Sequence, residues 1–255
     1  TLDAIGSQGS IYGQIKYGIP VGYDGWKVSI GANNLNYKTL TSFSPTISEG
    51  NAQVYGIYST YAITRTASSQ SNLTLAYENK NYVNKTNYVE VSNYQLNNVS
   101  LGFNGYQLSS DSSMNWGITA TAGSLSINNT TQANNDLNGA ATAGGFGKLS
   151  FNGAYTQQLP IERTSAQLSA YGQVANKNLN SAEQFYLGGP YGVRAYPVAQ
   201  GAGSQGGLAT AELRRQLPQN LTLSAFFDAG AVQQYKNLYQ GWQGQTHANN
   251  TYSLM

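Results

Sequence analysis

The sequence IYGQIKYGIPV (residues 11–21) decides the fold class, because its apolar side chains alternate with polar ones. Apolar residues occupy positions 11, 15, 17, 19 and 21, whereas Gln14 and Lys16 have the opposite parity. A period of two is typical of a β-strand with one apolar face. GYDG (residues 22–25) has the composition of a tight turn, and WKVSIGAN (residues 26–33) repeats the alternation. The sequence therefore predicts a β-hairpin here.

The same alternation continues along the chain, and the helical period is almost absent. We expect about ten antiparallel strands in all, none of them bounded by helix caps. After the first hairpin, the predicted strands are 52–64, 72–82, 91–108, 115–127, 148–156, 166–174, 207–216 and 221–232. Short turns alternate with long polar segments, of which 38–50 and 128–144 are the clearest. Segment 128–144 is poor in apolar residues, so we expect a loop there without a packed core.

The composition excludes several function classes. Charged residues make up only 9% of the 255 residues, against roughly 25% in an average soluble domain. With no Cys and a single His, His247, the chain lacks the residues for a disulfide framework, a thiolate metal site or a histidine relay. A net charge of +2 without basic runs does not indicate a nucleic-acid partner. We expect no cofactor and no nucleotide.

Two architectures fit long antiparallel strands joined by alternating short turns and long loops: a two-sheet sandwich and an up-and-down barrel in a membrane. A soluble sandwich usually wets its outer face with charged residues. A transmembrane barrel instead has an apolar outer face, a polar lumen and aromatic residues at both membrane interfaces. The low charge, the 20 Tyr residues and the loop asymmetry favour the barrel. No apolar run approaches the length of a transmembrane helix.

Motifs that would indicate an enzyme are weak. Residues 201–206 match G-x-G-x-x-G, but the residues that follow alternate like a strand instead of opening a helix. The same segment is one glycine short of the G-x-S-x-G nucleophile elbow. The eleven carboxylates are scattered singly, which gives no catalytic pair. We therefore expect the protein not to be an enzyme.

The segment YLGGPYGVRAYP (residues 186–197) is the exception, because it combines turn residues with aromatic side chains and Arg194. A loop of this kind can fold inward, and a guanidinium away from bulk water then needs an acceptor. In the last predicted strand, the apolar parity includes Leu221, Leu223 and Phe227, which places Asp228 on the opposite face. Asp228 is therefore available to Arg194. The alternative is a solvated Asp228 that contacts nothing.

Three motifs resemble the haemolysin-activator/filamentous-haemagglutinin transporter family, the TpsB outer-membrane proteins of two-partner secretion. Residues 186–197, with GVRAY at their centre, resemble its conserved loop motif. FFDAG (residues 226–230) is similar to its late-strand motif, and YGIPVG (residues 17–22) to an early strand end. The resemblance assigns the functional loop to Gly188, Gly189, Tyr191, Gly192, Val193, Arg194, Ala195 and Tyr196, and the lumenal partner motif to Phe226, Asp228 and Gly230.

The resemblance implies an all-β fold, an antiparallel transmembrane barrel of about sixteen strands in the bacterial outer membrane. It also implies two preceding POTRA domains, an N-terminal plug helix, and a pairing of Arg194 with Asp228. On this basis residues 1–255 are expected to form a single barrel domain, from about the fourth to the thirteenth strand. The POTRA domains and the closing strands are then absent from the sequence.

The sequence departs from the family pattern at two places. Ala195 replaces the usual glycine between Arg and Tyr, which leaves the backbone shape there open. Ser204 and Gln205 stand where an acidic residue often precedes the glycine of the following strand.

The function implied by the resemblance is secretion of a large TpsA-type exoprotein, such as an adhesin, a haemolysin or a contact-dependent inhibition toxin. Its expected partners are that exoprotein and outer-membrane lipid. One alternative is an assembly factor of the same superfamily that inserts other outer-membrane proteins. Another is a passive porin or adhesin barrel, for which the 186–197 loop would be incidental.

Overall fold

The computed structural model describes residues 1–39, 46–240, 242 and 250–255, and almost all of its regular structure is β. His247 and residues 40–45 of the polar segment 38–50 lie outside the described residues. The strands are β1 Leu2–Gly6, β2 Ser10–Val21, β3 Trp26–Lys38, β4 Ser48–Arg65, β5 Ser69–Thr86, β6 Val89–Leu108, β7 Ser112–Ile127, β8 Gly144–Gln158, β9 Thr164–Ala175, β10 Phe185–Tyr186, β11 Ala202–Gly203, β12 Gln205–Gln216, β13 Thr222–Gln233 and β14 Thr251–Leu254. One α-helix, α1, spans Thr130–Leu137, and short 3₁₀ turns span Ser181–Glu183 and Pro218–Asn220.

Twelve strands form one sheet, and apart from the step from β9 to β12, strands that are consecutive in the sequence are adjacent in the sheet. The order is β1-β2-β3-β4-β5-β6-β7-β8-β9-β12-β13-β14, and β10 pairs with β11 in a separate two-stranded sheet. This up-and-down order is the one that short turns and hairpin connections produce. In the part of the chain that the structure describes, no helix is long and apolar enough to cross a membrane.

The first hairpin has the predicted turn. Val21 of β2 is paired with Trp26 of β3, so four residues connect the strands. Gly22 and Gly25 have φ values of 67° and 89°. A side chain is disfavoured at these angles, which explains why glycine stands at both corners of the turn.

The apolar parity of β2 and of β13 faces outward, as a membrane barrel requires. All apolar side chains of this parity in β2 are exposed: Ile11, Ile15, Tyr17, Ile19 and Val21. The exposed fraction of Tyr17 is 67%. Leu223 and Phe227 of β13 are exposed in the same way, whereas Asp228 on the other face is buried. A soluble sandwich would bury the apolar rows instead. Exposed apolar rows of this size are typical of the outer face of a transmembrane β-barrel.

All ten predicted strands are present, and the described residues contain four further short strands: β1 and β14 at the ends of the sheet, and the separate pair β10 and β11. The polar loop expected over 128–144 is wrong over Thr130–Leu137, which form α1, although no residue of this helix is buried. Asn129 caps this helix by accepting a hydrogen bond from the backbone N–H of Gln132. The Gln132 side chain in turn accepts from the backbone N–H of Asn93. The Asn129 cap and the hydrogen bond between Gln132 and Asn93 hold α1 in place, so the helix does not depend on an apolar face.

The chain divides into two compact units. The first comprises Thr1–Tyr61, Thr74–Leu101 and Thr121–Phe146. The second comprises Ala62–Leu73, Gly102–Ala120 and Gly147–Met255, and it contains a buried apolar cluster. The members of that cluster are Leu187, Val193, Leu208, Val232 and Leu254, with Phe185, Tyr196 and Tyr252 packed against it.

We predict that Ile30→Arg destabilises the folded protein in a lipid bilayer. Ile30 is exposed on the apolar parity of β3, and an arginine facing lipid costs about 2–4 kcal/mol near the bilayer midplane. The free energy of unfolding of the full-length protein in liposomes, from urea titration, measures the loss. Asn33→Arg, on the polar parity of the same strand, is the control and is expected to cost less. Equal losses in the two variants would contradict the assignment of faces.

Candidate functional site

The segment between β9 and β12 folds back on itself as a hairpin-like loop. The backbone N–H of Leu187 donates to the carbonyl of Gly201 at 2.9 Å, and that of Val193 donates to the carbonyl of Leu187 at 2.8 Å. Below them, Phe185 of β10 is paired with Gly203 of β11. The loop is therefore an ordered element, with its two arms hydrogen-bonded to each other.

An apolar contact fixes this loop against the wall of the second unit. Leu187 and Val193 have at most 1% of their surface exposed, and they pack with Leu208 of β12 and Val232 of β13. Complete burial of two aliphatic side chains stabilises the docked loop by about 1.5–3 kcal/mol each. The loop thus packs against the polar parity of β12 and β13, on which Leu208 and Val232 are the apolar exceptions.

The glycines of the predicted motifs allow close backbone contacts. A Cβ at Gly192 would collide with the carbonyl oxygen of Leu187. A Cβ at Gly230 would lie 2.7 Å from both the Leu187 and Leu208 side chains. Gly189 has a φ of 122°, which a side chain disfavours. These positions exclude larger residues because the loop and the strands approach each other closely.

Arg194, at the turn that follows Val193, forms a fork with Asp228 of β13. Its Nε donates to Oδ2 at 2.9 Å and its Nη2 donates to Oδ1 at 2.9 Å. The backbone N–H of Arg194 donates to the same Oδ2 at 3.1 Å. Two parallel bonds from a guanidinium to a carboxylate are the strongest geometry for such a pair. The backbone bond adds a constraint on the loop itself.

A second carboxylate completes the cluster. Nη1 of Arg194 donates to Oε2 of Glu212 at 2.8 Å, and Nε of Arg214 donates to the other Glu212 oxygen. The guanidinium carbon of Arg194 lies 3.5 Å from the centre of the Phe226 ring, a cation–π contact. Hydrogen bonds to Asp228, and then to Glu212, raise the pKa of the Arg194 guanidinium above its already high usual value.

Burial gives these bonds their strength. The side chains of Asp228 and Glu212 are 3% and 6% exposed, and that of Arg194 is 28% exposed. Removing one partner would leave a charge with little water to solvate it. Thr210, directly opposite Asp228 in the β12–β13 register, also hydrogen-bonds to that carboxylate. The cluster is built to hold one guanidinium in one position.

The structure brings together most, but not all, of the predicted loop residues. Tyr196 packs beside the apolar cluster, and Ala195 adopts a backbone conformation outside the positive-φ region, so the alanine fits. Tyr191 is 94% exposed and stands apart from the ionic cluster. The proposed alternative of a solvated Asp228 does not match the structure, because that carboxylate is buried against Arg194.

Sequence reasoning missed Glu212. Its signal was present, since Ala209, Ala211 and Leu213 have the outward parity of β12 and Glu212 has the inward one. Parity places a carboxylate on a face but does not show how far across the sheet a long arginine reaches. Glu212 of β12 is paired with Phe226 of β13, and the next pair on the same face is Thr210 with Asp228.

Sequence reasoning also missed an ionic contact at the base of the loop. Nζ of Lys148 in β8 lies 2.7 Å from Oε2 of Glu183, whose side chain is 4% exposed. The Gln173 side chain in β9 donates to the carbonyls of Glu183 and Ser204, at 2.9 Å and 3.2 Å. Ser204, which stands where the family pattern often has an acidic residue, accepts from the N–H of Leu179 and donates to the carbonyl of Gln234. A buried polar network thus anchors both ends of the loop.

Comparison with known proteins matches this arrangement to one family. The sequence matches the family "Haemolysin secretion/activation protein ShlB/FhaC/HecB" over residues 3–248, almost the whole chain. The chain belongs to this family. Members of the ShlB/FhaC/HecB family are outer-membrane β-barrel proteins of transport and secretion, not enzymes. The resemblance seen in the sequence is therefore confirmed.

Individual relatives agree with the ShlB/FhaC/HecB assignment. The heme/hemopexin transporter protein HuxB of Haemophilus influenzae is 25% identical over 222 residues, covering 84% of this chain and 39% of HuxB. The chain thus spans about two fifths of the length of the curated relatives that it matches.

Solved structures show the fold. CdiB from Acinetobacter baumannii has a TM-score of 0.70 at 22% identity, over 92% of this chain and 42% of CdiB. CdiB from Escherichia coli gives 0.67 at 20% identity, over 88% and 43%. BamA from Haemophilus ducreyi lacking POTRA domains 1–3 gives 0.59 at 13% identity, over 92% and 51%. The chain is part of an antiparallel transmembrane β-barrel.

We predict that Asp228→Asn lowers the free energy of unfolding of the full-length protein by about 2 kcal/mol, more than Glu212→Gln does. Asp228 accepts three hydrogen bonds from Arg194, whereas Glu212 accepts one from Arg194 and one from Arg214, which sets the order. Urea titration in liposomes measures both variants. Glu162→Gln, at a side chain that is 84% exposed, is the control and should change little. The reverse order would contradict the fork.

We also predict energetic coupling between Lys148 and Glu183. A double-mutant cycle with Lys148→Gln and Glu183→Gln should give a coupling energy of about 1–2 kcal/mol, because the pair is buried. The exposed pair Glu162 and Arg163 serves as the matched control cycle and should give less than about 0.5 kcal/mol. Equal coupling energies in the two cycles would refute an anchoring role for the buried pair.

Proposed function

We propose that this chain belongs to an outer-membrane pore that secretes a large exoprotein by two-partner secretion. The observation that carries the proposal is the loop docked on the polar parity of the wall, with Arg194 bound to Asp228 and Glu212. Membership of the ShlB/FhaC/HecB family supports it. The name of the relative HuxB, a heme/hemopexin transporter protein, also describes transport.

The geometry suggests how such a pore holds its loop. Apolar burial of Leu187 and Val193 fixes the arms of the loop, and the fork between Arg194 and Asp228 fixes its turn. Together they keep the loop in one place on the inner wall while a substrate passes. The loop then sets the free cross-section of the pore. Loss of the fork frees the turn, although the apolar contact remains.

The inner surface suits an extended polypeptide substrate. The inward parity of β8 carries Ser150, Asn152 and Thr156, whose neutral side chains form hydrogen bonds. Lys148 on the same parity is paired with Glu183, so its charge is offset. An unfolded chain finds few apolar patches to adhere to on such a surface. The driving force in this proposal is the folding of the exoprotein outside the cell, so no nucleotide or cofactor is required.

We further propose that residues 1–255 belong to one transporter barrel domain, with outer-membrane lipid on its apolar face. The family match over residues 3–248 supports a single domain. The exposed apolar rows of β2 and β13 support the lipid contact.

We predict that Arg194→Lys and Asp228→Asn each reduce exoprotein secretion by the full-length protein about tenfold, the change that 1.4 kcal/mol produces. Lysine keeps the charge of Arg194 but cannot form the fork. Secreted exoprotein in the culture medium is measured against the amount of barrel in the outer membrane. Val198→Ala, at an exposed position of the same loop, is the control and should secrete normally.

Wild-type secretion by both ionic variants would refute the proposed role of the fork. A passive porin would instead show a conductance that the Arg194 and Asp228 variants leave unchanged. An assembly factor would be revealed by loss of other outer-membrane proteins from the same cells, with the secretion defect as a secondary effect.

A further inference from the structure

A cavity of about 400 Å³ lies among the ends of β2, β3, β4 and β5 that are remote from the Gly22–Gly25 turn. It belongs entirely to the first compact unit. Among the residues that line it are Ile11, Asn36, Lys38, Asn51, Val83 and Lys85. Neither the family motifs nor the Arg194 loop involves this cavity.

The cavity opens on the lipid-facing side of the wall. Ile11 is part of the exposed apolar row of β2, and Asn36 and Asn51 stand directly opposite it in successive strands. Residues opposite each other in paired strands share a face. Lys38 has the same parity as Asn36, and Lys85 has the parity of the exposed Leu75 and Tyr77 in β5. All these side chains therefore face away from the lumen.

The polar side chains of the cavity begin where the apolar row ends. Below Ile11, the row continues through Ile15, Tyr17 and Ile19 toward the turn. In the opposite direction, away from the turn, Lys38 lies two residues beyond Asn36, the partner of Ile11 in β3. This step is about 7 Å along the strand. The headgroup layer on each side of the hydrocarbon core is about 5–7 Å thick, so a step of this length takes a side chain from the edge of the hydrocarbon into the headgroups. The cavity also lies on the side of the longer loops, which in outer-membrane barrels is the extracellular side.

Two lysines in one cavity are notable in a chain with only 13 Lys and Arg residues. Glu49, which is paired with Lys38 in the register, also lines the cavity and offsets one positive charge. The remaining net charge of one suits a single phosphate group. Ammonium groups bind phosphate as compact point charges.

The amides of the cavity add donors and acceptors in fixed positions. Asn51 donates to the side-chain oxygens of Asn34 and Asn36, each at 2.7 Å. Amide groups held in this way suit the hydroxyl groups of a sugar. Ile11 and Val83 provide apolar surface next to them. Phosphate, sugar and acyl chain occur together in one kind of molecule at this level of the membrane.

We propose that this cavity binds the phosphorylated sugar headgroup of an outer-leaflet glycolipid. Lys38 and Lys85 contact the phosphate, Asn36 and Asn51 contact the sugar, and Ile11 and Val83 contact the start of the acyl chains. The bound lipid adds to the wall at β2–β5 and holds those strand ends together. The proposal is independent of the cargo and of the Arg194 cluster.

The test uses the full-length protein in detergent and counts bound lipids by native mass spectrometry. The probes are bisphosphorylated lipid A, the same lipid with its phosphates removed, and inorganic phosphate as a competitor. We expect the wild type to retain phosphorylated lipid A at least fivefold better than the dephosphorylated form. Millimolar inorganic phosphate should not displace it, because phosphate alone lacks the sugar and acyl contacts.

The double variant Lys38→Gln, Lys85→Gln should lose this preference. Glu49→Gln should keep or increase binding, since it removes the opposing charge. Lys177→Gln, Lys236→Gln is the matched control with the same change of net charge at lysines outside the cavity, and it should bind like the wild type. Retained electrophoretic heat-modifiability of each variant reports that the barrel is folded, and Lys85→Gln alone is the second variant if the double one fails to fold.

Three results would overturn the proposal. The first is equal retention of phosphorylated and dephosphorylated lipid A by the wild type. The second is wild-type binding by the folded Lys38, Lys85 double variant or, where that variant does not fold, by Lys85→Gln. The third is displacement by inorganic phosphate, which would identify a simple anion site instead of a headgroup site.

Discussion

The Arg194 guanidinium, held between Asp228 and Glu212, is the interaction on which the second compact unit depends. A buried carboxylate is unfavourable alone, and two on adjacent strands repel each other. Arg214 of β12 offsets one of these two charges from within the wall, and the arginine that balances the other comes from the loop. The wall therefore needs the loop for its own electrostatic balance, and the loop needs the wall for its shape. Without the loop, the wall would keep an uncompensated negative charge, and without the wall, Arg194 would lose both of its carboxylate partners.

Close packing and hydrogen bonding hold the loop at further points around this interaction. Leu187 and Val193 supply the burial energy, and Gly192 and Gly230 let backbone and side chains approach closely enough to achieve it. Lys148, Glu183 and Gln173 tie the base of the loop at a separate point. The loop is thus held by apolar contact in the middle and by polar contacts at its turn and at its base. This arrangement has the character of a permanent part of the wall.

The sequence was sufficient for the strands and for the face of most side chains, because a period of two is a local property. Parity also placed Asp228 on the inward face, and the family resemblance paired it with Arg194. It did not place Glu212, Lys148 or Glu183 in ionic contact, because these pairs depend on how far long side chains reach across a curved sheet. The helix α1 was missed for a different reason: its stability comes from the Asn129 cap and from Gln132, not from an apolar period.

The ionic cluster contains two arginines, Arg194 and Arg214, and two carboxylates, Glu212 and Asp228, so its charges cancel. Opposite charges a few ångströms apart produce a field that fades quickly with distance. In the proposed secretion pore, acidic and basic stretches of a passing polypeptide would therefore meet a potential close to zero at this site. The loop would then favour neither kind of stretch, whatever the isoelectric point of the exoprotein.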